Sequence, residues 1–211
     1  MYKNYIKQTL DRVLAIIILI VMLPVLLIIS VLILVTMGSP VIFRQERVGK
    51  DFQTFTMFKF RTMREPREGE NRLLSDTNRV TKFGALLRKT SLDELPEIIN
   101  VIKGEMSLVG PRPLLNLHID LFNDKEKVRY QVKPGLTGLA QVLGRQTLTF
   151  KQRANLDAQY VEEVSFLTDL KILFKTIKVV LIGSGVRTGQ KFEEVDDVGL
   201  KEMLEKDYAN N

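Results

Sequence analysis

The chain has 211 residues, enough for one domain and an anchor, and its formal net charge at pH 7 is +6. It contains no cysteine, which excludes disulfides, thiolate zinc sites and cysteine nucleophiles. Its single histidine, His118, excludes a multi-histidine metal site, so any metal must have oxygen ligands, as magnesium, calcium and manganese do. The positive charge suits anionic lipid headgroups or a polyanionic substrate, and no basic run with interleaved aromatic residues predicts nucleic-acid binding.

The N-terminal segment, residues 13–37, is almost entirely apolar and long enough to cross a bilayer. Basic residues flank it on both sides, including Arg12 before it and Arg44 after it. A spanning helix would place one of these basic clusters on the disfavoured side of the membrane. Pro24 predicts a kink near the middle, which would let the helix enter one leaflet and return. A plain transmembrane helix that tolerates its proline is the alternative.

The segment after the anchor predicts two strands joined by a turn at residues 49–51. At the end of the second strand, Phe58 and Phe60 alternate with Lys59 and Arg61. The two basic side chains would then share one face and could form a phosphate-binding wall. The alternative is the solvated face of a half-buried strand.

Short helices follow. Thr81 is placed to cap a helix that runs to Lys89, and a second helix extends from about Asp93 to Lys103, where Gly104 ends it. The middle of the chain predicts a strand at residues 106–109, a partly helical segment at residues 114–132 and a turn at residues 134–138.

The C-terminal third predicts further helices, one of them from Asp169 to Ile182 with Thr168 as its cap. This helix is amphipathic: its lysines share one face with a neighbouring apolar stripe, and these residues are Lys171, Lys175, Lys178, Leu170, Leu173, Phe174, Ile177 and Leu181. Such a helix can lie on a membrane surface, and an ordinary core-facing helix is the alternative.

Two adjacent carboxylates, Asp93 and Glu94, stand at a predicted helix start. Ser91 and Glu94 match a capping box, in which acidic residues need no catalytic role because the helix dipole favours them. Pro96 favours a later start, since inside the helix it would remove a hydrogen bond. With the helix starting near Asp93, carboxylates and free N–H groups would meet at one place, which suits a metal–diphosphate complex.

Several basic residues could supply the cations that a diphosphate needs. They lie in or beside turn-rich segments and strand ends, and they are Lys59, Arg61, Arg88, Arg112 and Arg145. The sequence contains no P-loop, and the absence of an Asp-x-Asp pair argues against the usual metal-dependent glycosyltransferase.

Residues 91–113 (SLDELPEIINVIKGEMSLVGPRP) closely resemble the signature of the bacterial sugar transferases, the monotopic phosphoglycosyl transferases. Three further blocks agree with the family in order: residues 43–49 (FRQERVG), 58–63 (FKFRTM) and 133–145 (KPGLTGLAQVLGR). The chain is therefore identified as a member of this family over most of its length.

The resemblance implies an α+β fold with an N-terminal re-entrant membrane helix, a small β-hairpin or sheet and several helices, some of them amphipathic at the membrane surface. The implied divisions are an anchor at residues 1–39, kinked at Pro24, a catalytic domain at residues 40–189 and a loosely ordered tail at residues 190–211. Many members have serine before the proline of the anchor, where this chain has Leu23. Glu97 likewise replaces a frequent glutamine.

The resemblance also implies the chemistry. Asp93 would attack the sugar-linked phosphate of a UDP-sugar and release UMP, and polyprenyl (undecaprenyl) phosphate would accept the phospho-sugar from the aspartate. Glu94, together with Asp93, would hold Mg²⁺. Substrate phosphate or nucleotide would face Arg112 and Arg145 and, on weaker motif matches, Lys59, Arg61 and Arg88. Asp169 and Gln141 would support the site.

The implied location is the cytoplasmic face of the bacterial inner membrane, with UDP-sugar, polyprenyl phosphate and membrane lipids as partners and no nucleic acid. The oligomeric state stays open, with a homodimer as one alternative. Three rivals also stay open. One is a non-catalytic membrane-surface scaffold or lipid-binding protein, and a second is a membrane-bound nucleic-acid binder. The third is an enzyme that uses Asp93 as a general base in a single displacement.

Overall fold

The computed structural model describes residues 2–65, 79–144, 147–182 and 196–197. The fold is α+β, as predicted. Its α-helices are α1 (Lys7–Met37), α2 (Lys82–Thr90), α3 (Ile98–Lys103), α4 (Asp124–Lys127), α5 (Leu139–Leu143), α6 (Phe150–Glu162) and α7 (Phe166–Ile182). Its strands are β1 (Ile42–Val48), β2 (Thr54–Phe60), β3 (Ser107–Val109) and β4 (Gly135–Thr137). A π-helix at Tyr2–Ile6 precedes α1, and short 3₁₀-helices lie at Lys50–Phe52, Leu92–Glu97, Asn116–Leu121 and Val128–Gln131.

Helix α1 is, within the described residues, the helix long and apolar enough to cross a membrane. It runs unbroken from Lys7 to Met37 with Pro24 in its interior. The hydroxyls of Ser30 and Thr36 donate to the carbonyls one turn earlier, at 2.7 and 2.6 Å. These bonds satisfy the polar groups of the apolar run inside the helix, as a lipid environment requires.

Both halves of α1 pack against the rest of the molecule. Ala15 is buried in one apolar core with Met57 of β2 and Ile172 of α7. Ile33, near the other end of the helix, is buried in a second core with Leu87 of α2. The opposite face of α1 keeps large apolar side chains exposed along its whole length, including Val13, Ile20, Ile28 and Val35.

Strands β1 and β2 form the predicted antiparallel hairpin, with Phe43 opposite Lys59. Strand β3 was also predicted correctly, but the predicted turn at residues 134–138 is wrong, because residues 135–137 form β4, parallel to β3. Glycine makes this pairing fit, since a Cβ atom on Gly135 would lie 2.0 Å from the backbone nitrogen of Gly110.

Two predicted helix starts are wrong. The segment after Ser91 begins as a 3₁₀-helix, Leu92–Glu97, and becomes α-helical only at α3. Ser91 has φ +58°, in the left-handed region, and its side chain makes no cap hydrogen bond, so the capping box does not form. Helix α7 starts at Phe166, because Ser165 Oγ accepts a hydrogen bond from the Thr168 N–H at 3.2 Å. The Thr168 hydroxyl instead donates to the carbonyl of Glu163.

Other boundaries were predicted correctly. Thr81 caps α2 through its hydroxyl, which accepts from the Gly84 N–H at 2.9 Å. Gly104 ends α3 with φ +82°, a conformation that glycine adopts at no steric cost. The predicted tail at residues 190–211 lies outside the described residues, apart from residues 196–197.

Candidate active site

The Asp93–Glu94 pair follows a sharp corner between α2 and the 3₁₀-helix Leu92–Glu97. Ser91, in its left-handed conformation, ends α2 and starts the next turn, so the two helical segments meet without a linker. Helix α2 is held close to the chain that leaves β2, because a Cβ atom on Gly84 would lie 1.9 Å from the carbonyl oxygen of Thr62. This close packing places the pair beside the end of the hairpin.

Glu94 is held by two cations from distant segments. Lys59 Nζ lies 2.8 Å from Glu94 Oε1, and Arg112 Nη2 lies 2.5 Å from the same oxygen. Burial raises the pKa of Glu94, but the charges of Arg112 and Lys59 and their hydrogen bonds outweigh it and hold the pKa below its ordinary value. Glu94 is therefore ionised at neutral pH, and no described residue donates to its second oxygen.

Asp93 differs from its neighbour. Its carboxylate has no hydrogen-bond or ion-pair partner in the described part of the chain. Burial raises the pKa of Asp93, and the negative charge of Glu94 raises it further, whereas Lys59, Arg112 and Arg88 lower it. Asp93 is thus a carboxylate that is surrounded by cations but bonded to none, so its oxygens are available to a ligand.

A third carboxylate, Glu97, lies behind the pair. Its Oε1 is 3.1 Å from Lys59 Nζ, and its side chain is almost completely buried. The pKa of Glu97 is raised to about 7. Burial is the largest cause, and the negative charge of Glu94 adds to it, whereas the charge of Lys59 opposes the shift. Lys59 consequently joins two carboxylates of one helical segment.

Asn100 lies in α3, which continues the 3₁₀-helix Leu92–Glu97, and it holds both helices against β2. Its side-chain amide donates to the carbonyl of Thr56 at 2.7 Å and accepts from the N–H of Phe58 at 3.2 Å. Asn100 is fully buried, so these bonds are shielded from water. They set the distance between the strand that carries Lys59 and the turn that carries Glu94.

The other predicted basic residues have different positions. Arg88 Nε donates to the Thr62 hydroxyl at 2.9 Å, and its charge acts on Asp93. Arg61 instead binds the C-terminal end of α1, where its guanidinium donates to the carbonyls of Met37, Gly38 and Ser39. Arg145 lies outside the described residues.

A cavity of about 1150 Å³ opens in front of the pair. Its polar wall includes most of the predicted site: Lys59, Arg61, Arg88, Asp93, Glu94, Arg112 and Gln141. Its apolar wall includes Ile18 and Met22 of α1 and Leu173 and Val180 of α7. The cavity therefore extends from the carboxylate pair to apolar side chains of α1 and α7.

The carboxylates suit only one class of metal site. Within the described residues, no group of three or more His, Cys, Asp or Glu side chains could hold a metal ion. The available oxygens are those of Asp93 and the second oxygen of Glu94. Such a pair fits Mg²⁺, which binds one or two carboxylates together with substrate phosphates and water.

Comparison with known proteins decides the family. A sequence profile described as Bacterial sugar transferase matches residues 2–183. The chain belongs to the bacterial sugar transferase family. It is 46% identical over 166 residues to the "Uncharacterized sugar transferase EpsL" of Bacillus subtilis, and the match covers 76% of this chain and 82% of that protein.

Two longer relatives of this family have named reactions. The undecaprenyl-phosphate galactose phosphotransferase of Salmonella typhimurium is 39% identical over 201 residues, which cover 86% of this chain and 42% of that protein. The UDP-glucose:undecaprenyl-phosphate glucose-1-phosphate transferase of Escherichia coli is 40% identical over 182 residues, which cover 82% of this chain and 39% of that protein. The chain therefore spans less than half the length of these two relatives.

The bacterial sugar transferase site contains a buried ion pair that the sequence patterns did not predict. Arg129 Nη2 lies 2.9 Å from Asp157 Oδ2, and the same nitrogen donates to the Arg112 carbonyl at 2.6 Å. The pair thus supports the backbone of Arg112, which binds Glu94. No local pattern distinguishes these residues, because they lie in a short 3₁₀ segment and on a polar helix.

The predicted supporting residues of this family member fall in two places. Gln141 lines the cavity, and both atoms of its buried amide lack a hydrogen-bond partner among the described residues. Asp169 does not line the cavity. Its carboxylate instead accepts hydrogen bonds from Tyr2 and Lys7 at 2.6 Å and from Tyr160 at 2.7 Å, so it ties α7 to the start of the chain.

Proposed function

We propose that this bacterial sugar transferase moves a sugar 1-phosphate from a UDP-sugar to a polyprenyl phosphate, such as undecaprenyl phosphate, and releases UMP. The observation that carries the proposal is the carboxylate of Asp93, which has no partner among the described residues, next to a fixed Glu94 in a cavity that reaches α1 and α7. The named activities of the Salmonella and Escherichia relatives support the same reaction.

In the first step, a carboxylate oxygen of Asp93 attacks the sugar-linked phosphorus of the UDP-sugar. A bond forms between that oxygen and the phosphorus, and the bond to the bridging oxygen breaks. UMP leaves with the bridging oxygen and its electron pair. Asp93 suits this role because no protein donor occupies its oxygens and because burial raises the pKa of its carboxyl, which makes the anion more basic.

In the second step, a phosphate oxygen of the polyprenyl phosphate attacks the same phosphorus and expels the Asp93 carboxylate. The product is a polyprenyl diphosphate sugar, and the carboxylate is regenerated. The apolar wall of the cavity, from Ile18 to Val180, suits the approach of the lipid chain. Arg112 and Arg88 suit the phosphate charges that both steps bring to the pair.

The oxygens of Asp93 and Glu94 would hold Mg²⁺ with the substrate diphosphate. When bound, the ion would screen the charge of the diphosphate and of the departing UMP. Lys59 and Arg112 keep Glu94 ionised and oriented for this role.

The test is UMP release with undecaprenyl phosphate, Mg²⁺ and a panel of UDP-sugars. Asp93→Asn should abolish release, because an amide cannot form the phosphate ester, and exposed Asp120→Asn is the matched control. With the UDP-sugar alone, intact-protein mass spectrometry should detect a phospho-sugar on the wild type and none on Asp93→Asn. Turnover without an adduct would favour a general base, and membrane binding without UMP release from any UDP-sugar would favour a scaffold.

We also propose that α1 is re-entrant, with both ends at the cytoplasmic face of the inner membrane. The support is that Ala15 and Ile33, in opposite halves of α1, pack against the same domain, which a straight crossing would prevent. The cysteine-free sequence allows a direct test with single Tyr5→Cys and Ser39→Cys variants, both at exposed positions. A membrane-impermeant maleimide should label both only from the cytoplasmic side, and labelling of either from outside would overturn this topology.

A further inference from the structure

A second, smaller cavity lies at the start of α1, away from the carboxylate pair. Its volume is about 130 Å³, too small for a nucleotide but suited to a single phosphate group. Its charged lining is mostly basic and consists of Lys3, Lys7, Asp11, Arg12, Lys50 and Lys133. The basic residues come from three separate segments of the chain, so the fold itself brings their charges together.

The positive charges of this pocket are incompletely balanced by the protein. The one acid of the lining, Asp11, lies 3.5 Å from Lys7, which is also paired with Asp169 at 2.6 Å. Lys133 donates to the neutral side chain of Gln8 at 3.2 Å. The acids near Lys7 are thus already paired, and Lys50 lies 3.6 Å from the exposed Asp51, which leaves Arg12 and Lys133 without an acidic partner within 4 Å among the described residues.

Arg12 and Lys133 are the two residues on which the site depends. Arg12 makes no hydrogen bond or ion pair within the part of the chain that the structure describes. A Cβ atom on Gly104 would lie 2.2 Å from Arg12 Nη2, so the guanidinium rests directly on the glycine backbone. Burial lowers the pKa of Lys133, and the charges of Arg12 and Lys50 lower it further, while Asp11 opposes the shift.

With α1 in the membrane as proposed above, on which this inference rests, the pocket lies at the level where the chain enters the bilayer. Arg12 is the last charged residue before the apolar run that begins at Val13, and Val13 is exposed on the lipid-facing side of α1. Tyr5, which is 74% exposed, lies in the π-helix that precedes α1, and aromatic residues of this kind favour the headgroup region. An anion in the pocket would therefore be at the depth of lipid phosphates.

We propose that this pocket is an anion site that binds a phosphate group, and its position favours the headgroup of an anionic lipid over free phosphate. Arginine offers paired donors to phosphate oxygens, and the lysines add point charges. Occupation would tie the start of α1 to Lys133, which precedes β4, through the bound phosphate. The site is separate from the proposed reaction, since neither Arg12 nor Lys133 lines the larger cavity.

Thermal unfolding of the full chain in a neutral detergent tests the proposal, with dioctanoyl phosphatidylglycerol, dioctanoyl phosphatidylcholine or inorganic phosphate added. Phosphatidylglycerol should raise the Tm of the wild type saturably, and phosphatidylcholine should not. In the Arg12→Gln/Lys133→Gln double variant, the concentration for half the shift should rise at least tenfold. The Lys171→Gln/Lys175→Gln variant, which loses the same charge from exposed positions on α7, should respond as the wild type does.

The two sources of phosphate are distinguished by the additives. An equal saturable shift with inorganic phosphate, lost in the double variant, would assign the site to free phosphate. An Arg12→Lys/Lys133→Arg variant, which keeps the charges, should retain the response and so separates lost binding from lost folding. The proposal is overturned if no anion shifts the Tm saturably, or if the double variant responds as strongly as the α7 control.

Discussion

Lys59 donates a hydrogen bond of 2.8 Å to Oε1 of Glu94, and its ammonium group lies 3.1 Å from Glu97 as well. The ammonium group of Lys59, on β2, thus contacts two carboxylates of the 3₁₀-helix that carries Asp93. The electrostatics of the site depend on this contact, because Lys59 acts on the pKa of Asp93, Glu94 and Glu97 alike.

Lys59→Gln should lower the kcat for UMP release by about a hundredfold or more, the scale on which a preorganised charge contributes to catalysis. The physical reason is that Glu94 would lose one of its two cations and its fixed orientation. Lys89→Gln, on the exposed face of α2, removes the same charge and should change kcat by less than twofold. Equal effects of the two substitutions would contradict the role of Lys59.

Glu97→Gln should stabilise the protein more at pH 8 than at pH 5. The pKa of Glu97 is raised from 4.5 to about 7 in the folded state, so the native protein binds this proton more tightly than the unfolded chain. The free energy of unfolding therefore falls as pH rises through this window, by up to about 3 kcal/mol. Glutamine keeps an acceptor for Lys59 but has no proton to lose.

Thermal melts of Glu97→Gln and wild type across pH 5–8, in EDTA, measure this effect. The Tm difference between variant and wild type should grow with pH. Glu163→Gln, at an exposed position, serves as the control and should show a constant difference. A Tm difference for Glu97→Gln that is the same at both ends of the range would rule out a raised pKa.

Asp157→Asn should destabilise the fold strongly, by about 3–5 kcal/mol, because it leaves the guanidinium of Arg129 buried without its counter-charge. Replacing both partners, as Arg129→Met/Asp157→Leu, should recover much of the loss, since neither charge of the buried pair remains. Urea unfolding in detergent measures both variants, with exposed Glu162→Gln on the same helix as control. A double variant that is less stable than Asp157→Asn would mean that the pair is net stabilising.

Phe174→Trp should report contact between α7 and the membrane. Phe174 is 66% exposed and shares its face with Ile177 and Leu170, while Lys171 and Lys175 flank the stripe. The sequence contains no tryptophan, so the variant has a single indole signal. In vesicles, this signal should be blue-shifted and quenched by brominated lipids.

The matched control for this reporter is Lys125→Trp, in a polar turn at α4 whose neighbours are Asn123, Asp124 and Lys127. Its emission should stay at the wavelength of indole in water and should resist quenching. If Phe174→Trp behaves in the same way as Lys125→Trp, α7 does not rest on the bilayer.

Local patterns predicted the elements that local physics determines. The apolar run, the turn of the hairpin, the cap at Thr81 and the stop at Gly104 each depend on a few neighbouring residues, and each was confirmed. The capping box at Ser91 does not form although its residues satisfy the local rule, in agreement with the argument from Pro96. Ser91 ends α2 in a left-handed conformation, and that geometry follows from how α2 packs on residue 62.

The sequence by itself determined the family, the long apolar helix and the pair Asp93–Glu94, because each has a local or motif signature. Only the tertiary structure decided which cations meet Glu94, since Lys59 and Arg112 are 35 and 18 residues away in the chain. The tertiary structure also places Arg61 at the end of α1, where the last carbonyls of a helix need hydrogen-bond donors. Such contacts depend on how distant segments pack and on the burial that this packing creates. A pattern of neighbouring residues contains no information on either.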